Sequence, residues 1–283
     1  MKIFILGLGY TGLRLAKRLK DHGTFVCGSN RSGQPIPGVD IPVIQYEYGQ
    51  SSDRPQEIWQ QWNDITHIVS TIAPTKNGID PGWEVLKHHP NSQQLQWVGY
   101  ISTTGVYGNS NGAWVDELSP VNPSNSRSQA RVKIEQQWLG SPFPSHIFRL
   151  PGIYGPTRSI FERIRAGRVQ NIVKPGHVFS RVHVDDIAQS IHKSMENPMP
   201  HEIFNVVDDE PSEPRELLLA GCELLKVEPP TAIAFEEAEF SPMGRSFWAD
   251  CRRVSNQKLK EKLGIELMYP SYREGLQAIF AEL

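Results

Sequence analysis

Residues 2–12 read KIFILGLGYTG: a short apolar run, Ile3 to Leu6, then glycines at 7, 9 and 12. LRLAKRLKDHG follows, with Leu15, Ala16 and Leu19 at helical spacing and Gly23 as a stop signal. No other stretch of the chain narrows the fold as far. Between a strand and a helix, G-x-G-x-x-G is the turn that takes a dinucleotide pyrophosphate. The first glycine makes the tight turn, the second lets the phosphates approach the backbone, and the third lets helix and strand pack closely. The N-terminus of the helix offers N–H groups to the same phosphates. Gly7, Gly9 and Gly12, with Tyr10 and Thr11 between them, are therefore candidate cofactor-binding residues. A purely structural glycine turn has the same spacing; the strand–turn–helix context favours the cofactor.

Strand and helix signals keep alternating to residue 208. TFVCGSN, IPVIQYE, THIVSTIAP, QWVGYISTT, SHIFRLPG and EIFNVVD read as strands. DRPQEIWQQWND reads as a helix capped by Ser52 or Asp53, and VDDIAQSIHKSME as another. That rhythm predicts an α/β fold, a Rossmann-type, doubly wound, mostly parallel sheet covered by helices on both faces. Residues 209–283 lose the rhythm and read as a smaller C-terminal lobe; SNQKLKEKLG there has Ser255 as cap and Gly264 as stop.

The charge balance excludes several partners. A formal net charge of −2 over 283 residues, with no basic block, leaves no footprint for nucleic acid. No apolar run approaches membrane-spanning length, and the first one is too short for a signal peptide. Cys27, Cys222 and Cys251 fit neither a disulfide framework nor a zinc site, which points to a reducing, cytoplasmic setting.

The end of the second strand selects the cofactor. An NAD site there usually has a carboxylate for the ribose 2′-hydroxyl. This chain has Gly28-Ser29-Asn30-Arg31-Ser32 and no carboxylate before Asp40. Arg31 can pair with a 2′-phosphate, with Ser29, Asn30 and Ser32 adding hydrogen bonds. The expected cofactor is NADP(H), with NAD second; a solvated loop arginine is the plainer alternative.

Several motifs further on carry a resemblance. ISTTGVYG (101–108), WVDELSPVNP (114–123), FRLPGIYGP (148–156), FSRVHVDDIAQSI (179–191), IFNVVDDEP (203–211), RRVSNQKLKEKLG and YPSYREGL occur in an order that resembles the extended short-chain dehydrogenases/reductases, the NAD(P)-dependent epimerase/dehydratase group, in its atypical form. The resemblance runs nearly end to end. It implies a dinucleotide-binding domain over residues 1–154 and 180–208 and a small substrate-binding lobe over 155–179 and 209–283. A small-molecule substrate would lie in a cleft between them. Cofactor contacts carry over to Thr71, Ile72 and Ala73 after the fourth strand and to Pro151 and Ile153. Members of the group form homodimers, so a homodimer is implied as well.

The same resemblance implies a catalytic Ser/Thr and a Tyr-x-x-x-Lys: a hydroxyl orients the substrate oxygen, the tyrosine moves the proton, and the lysine lowers the tyrosine's pKa while holding the nicotinamide ribose. Thr103 matches the hydroxyl. With Glu135 as the acidic anchor, the lysine position is Arg131 and the tyrosine position is Arg127. The other register, Gln129 and Lys133, keeps a lysine and also lacks the tyrosine. Ala130 and Ile134 form the core stripe, and both candidate pairs flank it, so periodicity does not separate them.

Arginine does not exchange a proton near neutrality, so Arg127 serves as an anion clamp rather than an acid. Arg131 can keep the ribose contact and pair with Glu135. Tyr107 and Tyr154 are substitute acids only if they escape packing. The acidic residues that dehydratases place after the threonine are missing, since Thr104 and Gly105 stand there. The chain is thus expected to be an oxidoreductase or epimerase-like enzyme acting on a carbonyl or alcohol. The other class is a catalytically silent, redox-sensing cofactor-binding protein.

Three further signals have plainer readings. Gly108-Asn109-Ser110-Asn111-Gly112 has the spacing of a hydrolase nucleophile elbow but runs on into polar turn residues. His183 with Asp185 and Asp186 lacks a third metal ligand; His183 reads as packing and Asp185 as a helix cap, so no metal is expected. Trp59 and Trp62 read as core.

Overall fold

The computed structural model describes residues 1–50 and 55–283. Its first elements are β1 (Lys2–Leu6), α1 (Tyr10–Asp21), β2 (Phe25–Asn30), β3 (Val43–Gln45), α2 (Pro55–Gln61), β4 (His67–Ser70), α3 (Pro81–Leu86), β5 (Trp97–Thr103), β6 (Trp114–Val115) and α4 (Ser126–Leu139). Then come β7 (Ser145–Leu150), β8 (Gly152–Tyr154), α5 (Ile160–Arg165), β9 (Asn171–Val173), β10 (Arg181–His183), α6 (Val184–Glu196) and β11 (Glu202–Asn205). The chain ends with α7 (Pro214–Leu225), β12 (Ala232–Ala234), α8 (Pro242–Phe247), β13 (Arg253–Val254), α9 (Gln257–Leu263) and α10 (Tyr272–Ala281).

Seven strands form one sheet in the order β11-β7-β5-β4-β1-β2-β3, with β1 parallel to both β2 and β4, β2 to β3 and β4 to β5. Successive strands step outward from β1 to one side and then, from β4 on, to the other. The order therefore reverses at β1/β4, where the carboxyl ends of the strands leave a crevice. This is the doubly wound Rossmann-type sheet that the sequence predicts.

The chain divides into two compact units. The first comprises Met1–Thr103, Asn125–Arg149 and Ile187–Phe204; the second comprises Thr104–Ser124, Leu150–Asp186 and Asn205–Leu283. In the first, Ile3 to Leu6 are all fully buried, because a central strand is covered on both faces. One face packs Phe4, Ile68, Val98, Tyr100 and Ile147 against Trp59 of α2, Trp62 just after it, and Ile134 and Trp138 of α4. Side chains of this kind contribute about 1.5–3 kcal/mol each when fully buried. The core includes a ladder of rings, Trp97 lying 6.4 Å from His67 and 5.1 Å from His146, both stacked.

In the second unit β8 pairs with β10, β9 with β12 and β6 with β13, all in parallel. Tyr154, Ile160, Phe161, Leu218, Cys222, Tyr272, Leu276 and Ile279 form its core. Helices α5 and α10 both start in capping boxes, Ser159 with Glu162 and Ser271 with Glu274.

Three capping expectations have different outcomes. Gly23 follows α1 in the left-handed region, φ +73°, as a stop should. Helix α9 takes Asn256, not Ser255, as its N-cap; the Ser255 hydroxyl accepts from the Gln257 N–H one residue further on. Asp185 does not cap α6 either, because the helix begins at Val184 and His183 Nδ1 accepts the Asp185 N–H. The Ser52/Asp53 cap of α2 lies outside the described residues. Among the described residues no helix is long and apolar enough to cross a membrane.

Candidate cofactor site and catalytic helix

The parallel register brings four strand ends to one edge. Leu6 pairs with Ser29 of β2 and with Ser70 of β4, and Ser70 pairs with Tyr100 of β5. The residues that follow these positions, the glycine turn, the Asn30–Ser32 loop, Thr71–Ala73 and Thr103, therefore share the carboxyl edge of the first unit.

Each glycine of the turn has its own reason to be one. Gly7 has φ +97°, which a side chain rarely adopts, and a Cβ there would lie 2.8 Å from both Ile72 Cγ1 and Thr71 Oγ1. A Cβ on Gly12 would run into the Gly7 carbonyl, so the third glycine lets α1 sit directly on the turn. Gly9 has an extended backbone, and nothing lies within 4 Å of where its Cβ would be. Protein atoms close in on Gly7 and Gly12, whereas Gly9 is exposed with open space where its Cβ would be. No side chain caps α1, and its first turn holds no carboxylate. A pyrophosphate fits that combination of open space, unblocked helix N-terminus and absent negative charge. The loop after β4 closes on the turn, with Thr71 Oγ1 donating to the Gly7 carbonyl and Thr71 N–H to Leu6 O at 2.9 Å.

At the end of β2, Asn30 organises the loop. Its Oδ1 accepts from the N–H groups of Ser32 at 3.1 Å and Gly33 at 2.6 Å, and its Nδ2 donates to Gln34 O at 2.9 Å. Arg31 and Ser32 are exposed on the loop so formed. Sequence reading gave Asn30 a direct ligand contact; the geometry uses it to shape the loop that presents its neighbours.

Helix α4 begins at Asn125, whose side chain accepts the Ser128 N–H at 3.0 Å. Its inner face is polar. Glu135, 3% exposed, accepts from Arg149 of β7 through Nη2 at 2.7 Å and Nε at 3.1 Å, and from Ser102 Oγ of β5 at 2.5 Å. One turn earlier, Arg131 Nη1 donates to Tyr100 OH at 2.7 Å and to Ile101 O at 2.5 Å, with its guanidinium 5.4 Å from the centre of the Tyr100 ring. The expected Arg131–Glu135 pair is therefore replaced: Glu135 binds Arg149, and Arg131 binds β5. Gln129 and Lys133 are exposed, as is Arg127. Of the two registers, the arginine one places its second member on the sheet.

Trp138 lies next to this face, fully buried, with its indole N–H donating to Asp80 Oδ2 at 2.7 Å and its ring stacked on Tyr100 at 5.3 Å. Asp80 caps α3 through the Gly82 N–H at 2.9 Å. Burial pushes the Asp80 carboxyl up, while the Trp138 and Gly82 bonds and the Arg131 charge pull it down. Burial likewise raises the Tyr100 phenol. Sequence reading missed Tyr100, Ser102, Asp80, Trp138 and Arg149. Only Arg149 announced itself, as a charge inside the apolar strand SHIFRL that needs a partner.

Thr103, half-buried, is the last residue of β5. The substitute acids are committed elsewhere within the second unit. Tyr107 donates to Asn205 Oδ1 at 2.8 Å and is buried, and Tyr154 donates to Ser271 O at 3.3 Å, with burial raising its phenol. Pro151 follows β7 directly and Ile153 is the middle residue of β8, both in the second unit. Ser110 lies in a turn before β6, its hydroxyl donating to Ala113 O at 2.8 Å, so the elbow spacing is not an elbow. His183 is buried against Tyr269 and Tyr154. Among the described residues no group of three His, Cys, Asp or Glu side chains could hold a metal ion.

A glycine turn at the switch point of a seven-stranded sheet, with the fifth strand packed against helix α4, defines a Rossmann-type fold. Comparison with known proteins agrees. A conserved protein of unknown function from Silicibacter pomeroyi DSS is 39% identical, with 99% of this chain and 98% of that one covered and a TM-score of 0.88. A Methylobacillus flagellatus protein assigned as an NAD-dependent epimerase/dehydratase is 26% identical over 99% and 98% of the two chains, TM-score 0.77. Protein YeeZ of Escherichia coli K12 is 26% identical over 95% of this chain and 96% of its own. No protein-family model matches. The chain belongs to one family with the Silicibacter protein and is similar to the Methylobacillus epimerase/dehydratase-like protein.

Proposed function

We propose that this chain binds NADP(H) through Gly7, Gly9, Tyr10, Thr11 and Gly12, and that it is an atypical extended member of the family acting on a carbonyl or alcohol, as an oxidoreductase or an epimerase-like enzyme. The observation that carries the reading is the open cradle at Gly9 between two glycines that the fold itself requires. The preference for NADP(H) rests on the end of β2, where no carboxylate stands and the Asn30-shaped loop exposes Arg31 and Ser32 to a 2′-phosphate. Titration of NADPH and NADH against the wild type and Arg31→Ala tests it. Wild type should prefer NADPH, and the variant should lose most of that preference while keeping its NADH affinity. Equal or NADH-favouring binding by the wild type sinks the proposal.

When bound, the nicotinamide supplies the hydride acceptor or donor. The Thr103 hydroxyl, at the end of β5, holds the substrate oxygen. Arg127, exposed on the first turn of α4, clamps an anionic part of the substrate and moves no proton. The missing phenol favours a second reading, a silent cofactor-binding protein that signals redox state through a partner. Incubation of the NADPH complex with a panel of carbonyl compounds separates the two, and Arg127→Tyr supplies the acid that α4 lacks. Consumption of NADPH by the wild type supports the enzyme. Binding without consumption, with turnover gained only in Arg127→Tyr, supports the sensor.

A further inference from the structure

Position 131 is where the resemblance puts a cation on the nicotinamide ribose. The contacts of Arg131 point the other way. One guanidinium nitrogen, Nη1, donates both to the Tyr100 hydroxyl at 2.7 Å and to the Ile101 carbonyl at 2.5 Å. The Tyr100 ring that lies beside the guanidinium is fully buried and stacks on Trp138, whose indole N–H is held by the Asp80 carboxylate at 2.7 Å. Asp80 is 3% exposed, and among the described residues no salt bridge pairs it with a cation. The Arg131 charge acts on both Asp80 and Tyr100. A carboxylate, an indole, a phenol and a guanidinium thus form one contiguous internal set, all within the first unit.

We infer that Arg131 is a structural cation rather than a cofactor contact: Tyr100 and the Ile101 carbonyl commit it to the end of β5, and Asp80, linked to Tyr100 through Trp138, completes the same buried set. The position has changed from one that touches the cofactor to one that fixes the backbone two residues before Thr103. Burial disfavours the Asp80 carboxylate, so loss of the Arg131 charge should disfavour it further. The inference deepens the cofactor reading above and rests on it only for the binding measurement.

The experiment is a double-mutant cycle on the full chain, Arg131→Met, Asp80→Asn and both together, read by urea unfolding and by NADPH titration. Arg131→Met should destabilise, and adding Asp80→Asn should recover part of the loss, a coupling of about tenfold or more in the unfolding equilibrium. The loss of stability as pH rises above the ordinary carboxylate range should be steeper in Arg131→Met than in the wild type, because burial already holds the Asp80 carboxyl up and the Arg131 charge opposes that; the double variant should lack it. Simple packing loss would move neither the coupling nor the pH profile. NADPH affinity should stay within about threefold in every variant that folds. Additive destabilisation, or a tenfold or greater loss of NADPH affinity in Arg131→Met without coupling to Asp80, would overturn the inference. Should Arg131→Met alone not fold, recovery of a cooperative transition in the double variant supports it and failure of the double variant to fold overturns it. A wild type that binds neither NADPH nor NADH removes the cofactor reading and leaves the stability cycle to decide this one.

Discussion

The glycine turn and the inner face of α4 lie at the same edge of one sheet and are built on opposite principles. In the turn, function resides in backbone and empty space: Gly7 and Gly12 are required by φ and by close packing, Gly9 by nothing in the protein. On α4 the inner face is a polar scaffold in two parts, Glu135 bonded to Arg149 and Ser102, and Arg131 bonded to Tyr100 and the Ile101 carbonyl. On the proposed reading, the anchoring part of the helix is kept while the Tyr-x-x-x-Lys pair is replaced. Cofactor binding and proton transfer can therefore be lost independently in this architecture.

The largest expected effect would break the scaffold side of that comparison. Arg149 and Glu135 are each 3% exposed and joined by a two-nitrogen bridge. Arg149→Met leaves the Glu135 carboxylate buried with only the Ser102 hydroxyl, and should cost about 3–5 kcal/mol in urea unfolding. Glu135→Leu with Arg149→Met should recover most of that, since an apolar pair of similar volume avoids the desolvation cost. A single-variant loss below about 1 kcal/mol would mean that the pair does not hold α4 to the sheet.

The glycine side is sharpened by separating affinity from stability. Gly9→Val places its side chain in open space, so the fold should persist with an unchanged urea midpoint while NADPH affinity falls at least about 100-fold. Gly12→Val meets the Gly7 carbonyl and should lose stability together with binding. A Gly9→Val protein that binds NADPH as the wild type does would remove the cradle from the argument.

These two regions also explain what was legible in the sequence. The doubly wound parallel sheet, the glycine turn and the strand ends follow from periodicity and from glycine spacing, because both are properties of the backbone. The α4 network was not legible, because a side-chain bond joins residues far apart in sequence: Glu135 with Arg149 and Ser102, Arg131 with Tyr100. The register of α4 was open for the same reason. Helical periodicity places both pairs beside the Ala130–Ile134 stripe, and only the strand beneath selects between them. The misplaced caps at Ser255 and Asp185 show a third limit, that one or two residues of slip move a cap without moving the helix.

The histidine ladder of the first unit gives a smaller effect with a definite sign. His146 is fully buried; its Nε2 accepts the Met199 N–H at 2.9 Å, and burial holds its pKa down to about 4 from an ordinary 6.5. His67, stacked on the other side of Trp97, is held down to about 4 by burial and by the N-terminal charge. Both are neutral when folded and take up a proton on unfolding between 6.5 and 4. Their stabilising contribution is fully present above 6.5 and is lost as pH falls toward 4. From pH 7 to pH 5.5, His146 alone should remove about 1 kcal/mol, and His146→Gln should flatten that part of the urea-midpoint profile. A profile with the same slope in the variant would show that the proton goes elsewhere.

The smallest effect tests the register itself. If Lys133 carried the ribose contact, its removal would weaken NADPH binding by about tenfold, as loss of one charge-assisted hydrogen bond does. Lys133 is exposed, while Arg131, two residues earlier, reaches Tyr100 and Ile101. Lys133→Ala should therefore change stability by no more than about 0.5 kcal/mol and leave NADPH affinity unaltered. Arg127→Ala, with the same small effect on stability, should instead weaken an anionic substrate and leave cofactor affinity alone. The pair of variants reads the helix as a protractor: an effect at 127 without one at 133 fixes which side of α4 faces the chemistry, and the reverse result would return the lysine to the site and Arg127 to solvent.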